Sequence, residues 1–361
     1  MPEQPRSETW ATWAPPHTAM IRVAAPAAAL LAAVLTLGPV ASGRARVEVL
    51  QATGGLPAHL AGQFEDPLAF QQAPDGDSFV FDRRGHAVYR IDAAATTARR
   101  IVEIGFEEGR ILEPGAFDAG PDGSFVVADA PNARERIQIF RPDGVKIGGF
   151  DLPGRTAARI TVGSLILNGV GSLDYTGRSL LVNQPETGSL ITEYTLSGRA
   201  VRTIGRLRPT GQENQRDIHL ALNTGLPLAH PSGGFSFVFQ AGVPMFRRYG
   251  RDGTLLFERH IEGPETDPLV QGLPTTWPRR KVEPGGELPL VPPTVRTAAV
   301  DPDGRLWVAL IIPFTYVYDV NGDKIRTVQF RAAGLVAPTS LSFADRTRLL
   351  VTPGCYEFTI R

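Results

Sequence analysis

Along most of the chain apolar and polar residues alternate in short runs. Clear examples are "SFVFD" at 78–82, "SFVVAD" at 124–129, "RIQIF" at 136–140, "SLLVN" at 179–183, "RLWVAL" at 305–310 and "TYVYDV" at 315–320. A period of two sends successive side chains to opposite faces of a strand. The runs are separated by Pro-Asp-Gly, Ser-Gly and Asn-Gly, which supply the backbone conformations of tight hairpin turns. The pattern predicts an all-β chain, and after residue 46 it contains no helix of ordinary length.

The strands recur in units. Turn glycines ahead of the second strand of each unit fall at Gly76, Gly123, Gly177, Gly233 and Gly304, with a degenerate sixth turn at 345–347. A later turn follows roughly 20 residues on, at Gly144, Gly198, Gly253 and Gly322, and joins strands three and four of the same unit. This spacing suits four-stranded antiparallel blades with loop insertions, and predicts a six-bladed β-propeller. The last unit, 338–361, has room for three strands only. The stretch "RVEVLQA" at 46–52 is expected to fill the missing place and close the ring, leaving no free sheet edge.

The N-terminus reads differently. Residues 1–19 lack apolar periodicity and suit a disordered leader or a mis-annotated start. From Met20 a basic Arg22, an apolar stretch and small residues up to Ala45 have the order of a secretory signal peptide, with cleavage after Gly43 or Ala45. The alternative is an anchor over residues 22–40. Either way the body, 46–361, is expected outside the cytoplasm, secreted or periplasmic.

Charge and cysteine content narrow the choice of partner. Basic and acidic side chains number 37 each, so no net field favours nucleic acid. A single cysteine, Cys355, excludes an internal disulfide framework and a multi-cysteine zinc site, and it is expected as a buried strand thiol. The molecule is expected to be a monomer.

The run "VADAPNARERIQIFRPDG" at 127–144 resembles the repeat of the NHL family of β-propellers, with Asp129, Asn132, Arg136 and Gly144 at the matching positions. The other units keep only parts of that motif. The resemblance implies the propeller architecture over 46–361 and leaves activity open, because such propellers serve as binding platforms, lactonases and lyases.

Function is expected on the face that carries the connections between units. Two of them are long, 205–224 and 261–293. They bring Arg216 and His219, and then Trp277, Arg279 and Arg280, as candidate contacts for a small molecule, a glycan or a protein. A second set lies nine to eleven residues before the turn glycines, where Glu65, Asn168 and Asn223 offer hard oxygen ligands suited to Ca²⁺. This set is similar to that of gluconolactonase- and paraoxonase-type lactonases. That likeness implies a metal that polarises an ester carbonyl, with Glu113 activating water. The fifth unit departs from it, offering Thr294 and Val295 where an Asp is expected. Histidines fall at unrelated offsets, unlike the three zinc ligands of amidating-type lyases. An exported binding or scaffold module is therefore the preferred reading, and a Ca²⁺-dependent lactonase or esterase the alternative.

Overall fold

The computed structural model describes residues 47–152, 159–162, 165–168, 170–282 and 286–361. Residues 1–46, which hold the expected leader and signal segment, lie outside this set. After β1 (Val47–Gly55) and a short helix α1 (Ala58–Ala61), the chain builds antiparallel sheets from consecutive strands. The first holds β2 (Pro67–Gln72), β3 (Ser78–Asp82), β4 (Ala87–Ile91) and β5 (Ala98–Val102). The second holds β6 (Ala116–Ala119), β7 (Phe125–Asp129), β8 (Arg136–Phe140) and β9 (Lys146–Asp151). A connection carrying β10 (Arg159–Val162) and β11 (Leu165–Asn168) leads to the third sheet, β12 (Leu173–Tyr175), β13 (Ser179–Val182), β14 (Ser189–Thr195) and β15 (Ala200–Arg206).

Helix α2 (Arg216–Leu222) precedes the fourth sheet, which contains β16 (Gly225–Ala229), β17 (Phe235–Phe239), β18 (Met245–Tyr249) and β19 (Leu255–His260). The next insertion carries α3 (Asp267–Gln271), β20 (Arg279–Val282) and β21 (Gly286–Val291). The remaining strands are β22 (Val295–Val300), β23 (Leu306–Leu310), β24 (Thr315–Tyr318), β25 (Lys324–Arg331), β26 (Ser340–Phe343), β27 (Arg348–Thr352) and β28 (Tyr356–Thr359). They join β1 in one eight-stranded sheet, ordered β22-β23-β24-β25-β1-β28-β27-β26.

The arrangement is that of a β-propeller. Its innermost strands are cyclic neighbours: β2 lies by β6, β6 by β12, β12 by β16, β16 by β22, β22 by β26, and β26 by β2. Blades stacked face to face bury their middle strands on both sides. Every residue of β7, β17 and β23 is buried, which is why "FVVAD", "FSFVF" and "LWVAL" read as nearly continuous apolar runs rather than strict alternations. Outer strands such as β9 alternate partly buried and exposed. Between the first two blades Phe79, Phe117, Phe125 and Phe140 form a chain of ring contacts at 5.1 to 6.3 Å between centroids.

Polar staples tie neighbouring inner strands. The Gln71 carboxamide accepts the Ala119 N–H at 2.8 Å and donates to Asp118 at 2.9 Å. Asp118 accepts the Tyr175 N–H at 2.7 Å, and Asp174 accepts the Ala229 N–H at 3.0 Å. His230 accepts the Ser232 N–H on Nδ1, which leaves Nε2–H to donate to Gly304 O at 3.1 Å. Arg348 of β27 ties the last strands back to the first sheet by donating to Gln72 at 3.1 Å.

The NHL-like residues prove to be a local lock. Arg136 donates from Nε and Nη2 to both oxygens of buried Asp129 at 2.8 Å, and to the carbonyls of Phe106 and Arg110 at 2.8 Å. Asn132 adopts a left-handed conformation at φ 55°. Gly144, at φ 88°, passes so close to the Ile101 carbonyl of the first blade that any side chain would collide with that backbone.

Closure departs from the expected pattern in one respect. The stretch 46–52 was expected to fill the fourth place of the last unit and close the ring. Instead Val47–Gln51 pair parallel with Thr327–Arg331 of β25, and only Ala52, Gly54 and Gly55 pair antiparallel with β28. The register shift between Ala52 and Gly54 makes the change of partner possible. Gly55, at φ 135°, lies against the Cys355 carbonyl and has no room for a side chain. Cys355 also differs from expectation. It is fully buried but sits in the turn between β27 and β28 at φ 53°, where desolvation pushes its thiol up to about 12.

β1 is held by Leu50, which is 8 % exposed and packs with Trp307, Val328, Phe330 and Phe358, and by an ion pair from Arg326 to Glu48 at 2.6 Å. Leu50→Ala is expected to cost about 2–4 kcal/mol in chemical unfolding, as buried leucine truncations do. Val49→Ala, at a more exposed neighbour, should stay within about 0.5 kcal/mol. Equal losses at the two positions would show that β1 is not anchored through Leu50.

Candidate functional site: the channel and its loop face

The innermost strands enclose a central cavity of about 450 Å³. Polar and apolar surface line it in equal measure, and the polar side chains include Gln71, Arg83, Asp118, Asp174, Gln240 and Arg296. Arg83 lies where β3 ends and Arg296 near the start of β22, eight residues before the turn glycine Gly304, whereas Asp118 and Asp174 lie five and three residues before the turn glycines Gly123 and Gly177. The channel is therefore polarised along the strands, with guanidinium groups towards the insertion-bearing face. Arg83 is already paired with Asp66 at 2.6 Å, while Arg296 is exposed.

Burial raises the pKa of both channel aspartates above the ordinary value of 3.8. Asp118 is raised further by the like charge of Asp174. Neither residue was among the sequence candidates. The available signal was a polar residue set among apolar ones shortly before the turn glycine, in "AFDAG" and "SLDYTG", and it matches Gln71 in "AFQQ".

In their described residues the long connections carry helices and strands, and the connection between the second and third sheets pairs with the later of them. β10 pairs antiparallel with β11 and parallel with β21, and β20 pairs antiparallel with β21. The sheet β11-β10-β21-β20 therefore draws its strands from two insertions separated by two blades. α2, from the insertion between those blades, lies against β10 and β21. Its buried face contributes Ile218, Ala221 and Leu222 to a small core with Ala241 and Val291, and Trp277 packs on it.

The five candidate contact residues of this face divide by role. Arg279 is bound to Asp217 at 2.7 and 3.2 Å, which ties β20 to α2. His219 is half-buried, and its Nδ1 meets Thr210 Oγ1 at 2.7 Å. Trp277 is structural on one side. Arg216 and Arg280 are exposed. Beneath them, buried Arg208 donates to the carbonyls of Leu222 at 2.9 Å, Val243 at 2.8 Å and Ala241, and its guanidinium lies 4.3 Å from the Phe239 ring centroid. With desolvation dominant and no carboxylate in that crown, its pKa falls to about 10.

Of the candidate calcium ligands, Asn223 and Glu65 are described with their side chains. Asn223 is fully buried, and its oxygen accepts the Arg208 N–H at 2.8 Å while its amide donates to His219 O at 3.0 Å. That carboxamide caps α2 and holds the chain entering it. Glu65 is exposed, and its backbone N–H donates to Asp82 at 2.8 Å. Glu113 is also exposed, at φ 52°. Asn168 is the last residue of β11, and its side chain lies outside the described set. Among the described residues no group of three or more His, Cys, Asp or Glu could hold a metal. Among the same residues no helix is long and apolar enough to cross a membrane.

No protein family matches the chain, and no curated protein matches it. Several solved structures are similar in shape. A catalytically inactive virginiamycin B lyase from Staphylococcus aureus, with quinupristin, is 13 % identical with a TM-score of 0.49, covering 80 % of this chain and 77 % of that one. The selenomethionine-substituted lyase from the same organism is 12 % identical with a TM-score of 0.48, covering 82 % and 85 %. Kuenenia stuttgartiensis hydrazine synthase is 13 % identical with a TM-score of 0.44, covering 80 % and 92 %. Likeness at this level transfers no substrate and no residue role.

The channel aspartates set a pH dependence. Because their folded-state pKa values lie above the ordinary 3.8, the folded chain binds more protons than the unfolded chain from there up to about 7. Stability should fall as pH rises through that window and level off above it. Asp174→Asn keeps an acceptor for the Ala229 N–H and removes the like charge beside Asp118. It is expected to raise stability at pH 8 by about 1 kcal/mol or more, and to flatten the slope between pH 4 and pH 7 seen in thermal unfolding. An unchanged slope would contradict the assignment.

Proposed function

We propose that this chain is an exported, six-bladed, NHL-like β-propeller that acts as a binding module. Its insertion-bearing face captures a small molecule, a glycan or a protein. The count of six is supported by the cyclic neighbourhood of the innermost strands, with the eight-stranded sheet taken as two blades joined through β1. One observation carries the functional reading. Insertions that follow successive blades are built into a single ordered layer, a four-stranded sheet packed on α2, which the ring does not need for its own closure. So much regular structure on one face gives that face a rigid surface, and rigid surfaces bind without a large ordering cost.

Export rests on the segment 20–45, whose basic start, apolar stretch and small residues suit signal-peptide cleavage. The lactonase reading is not carried forward, because the Asn223 carboxamide is committed to capping α2.

Binding is tested by glycan, peptide and small-molecule arrays probed with the wild-type chain and with a double Arg216→Glu, Arg280→Glu variant. Both side chains are exposed, so the melting temperature should be unchanged while capture falls roughly tenfold. Capture that survives the double change would place the site elsewhere. Export is tested by expression in a secreting host and mass measurement of the product. A chain beginning after Gly43 or Ala45, or a membrane-held chain retaining 22–40, is the expected outcome. Full-length protein in the cytosol would contradict it.

A further inference from the structure

β20 is the outermost strand of the insertion sheet, and among the described residues its far side pairs with no strand. Its register with β21 sets Arg279 opposite Pro289, Arg280 opposite Leu288 and Lys281 opposite Glu287. The Leu290 N–H donates to Pro278 O at 2.7 Å, so positions 278 and 280 turn their peptide groups towards β21. Antiparallel ladders alternate, and the N–H and C=O groups of Arg279 and Lys281 therefore face the open edge. The edge is held rigidly, since Arg279 is clamped to Asp217 of α2 at 2.7 Å and β21 continues into the pairing with β10.

The side chains around this edge have one dominant sign. Arg216, Arg279, Arg280 and Lys281 gather there against Asp217 and Glu287, and the Arg216, Arg280 and Lys281 side chains are exposed. A basic edge repels a second copy of itself, which is a common guard against self-association. The same charge attracts an extended strand of opposite sign. We propose that β20 is a docking edge for an extended acidic peptide segment, which adds to the sheet as a further strand. Its backbone would pair with Arg279 and Lys281, and its carboxylates would meet Lys281 on one face of the sheet or Arg280 on the other. The proposal rests on the reading of this face as the binding face.

The test is fluorescence anisotropy of a labelled eight-residue peptide of alternating Glu and Val, titrated with the full chain. Saturable binding is expected, weakening roughly tenfold between about 0.05 M and about 0.5 M salt. A Lys-Val peptide of the same pattern should not bind. Lys281→Pro removes an outward N–H without removing a bond to β21, and should weaken binding roughly tenfold. Arg280→Glu with Lys281→Glu should do the same, each variant being checked for an unchanged melting temperature. Absence of acidic-peptide binding, equal binding of the Lys-Val peptide, or undiminished binding by a folded Lys281→Pro protein would each overturn the proposal. If array capture is lost in the Arg216→Glu, Arg280→Glu protein while the acidic peptide fails to bind, the edge proposal falls and the loop-face reading stands.

Discussion

The change of partner within β1 is the constraint on which the rest of this molecule depends. Five residues of one strand pair parallel with β25, and the next few pair antiparallel with β28. The beginning of the described chain is thereby hydrogen-bonded to two segments that lie near its end. Without that strand, β25 and β28 would each present an open edge, and Leu50 would leave the cluster built by Trp307, Phe330 and Phe358. The inner staples depend on the same closure. Gln71, Asp118, Asp174 and His230 each bridge to the following blade, and such bridges hold only while every blade has a fixed neighbour.

This explains why two carboxylates persist at the centre. Asp118 and Asp174 satisfy backbone N–H groups that would otherwise be unpaired in the channel wall, and burial raises the proton affinity of both, with the charge of Asp174 adding to it at Asp118. The same logic governs Arg208, whose charge is met by three carbonyls and an aromatic face instead of an acid. Both groups are polar devices for fastening segments, and neither needs a ligand to account for its place. The surface that has no such internal explanation is the layer of inserted strands and α2.

Local chemistry carried the architecture. The turn glycines, the Pro-Asp-Gly and Asn-Gly hairpins and the runs from "SFVFD" to "TYVYDV" located strands and blade boundaries, because turn geometry and side-chain alternation are properties of adjacent residues. What depended on distant pairing was harder to read. The parallel pairing of β1 with β25 joins residues some 280 positions apart, and the sheet of β10 with β21 joins two insertions that look like loops when each is read alone. Asn223 has the residue type of a metal ligand, but its role as the cap of α2 becomes visible only once the helix is known. Asp118 and Asp174 were missed because their partners are backbone amides of the next blade. The Asp129–Arg136 pair, legible as a motif, turned out to fasten a loop.

Hydrogen exchange across the native chain tests the central role of β1 most directly. If the strand closes the ring, the ladder amides of Val47–Gly55 should exchange as slowly as those of β25 and β28, through global opening alone. Fast exchange in β1 beside full protection of β25 and β28 would show that the ring stands without it, and would contradict the account.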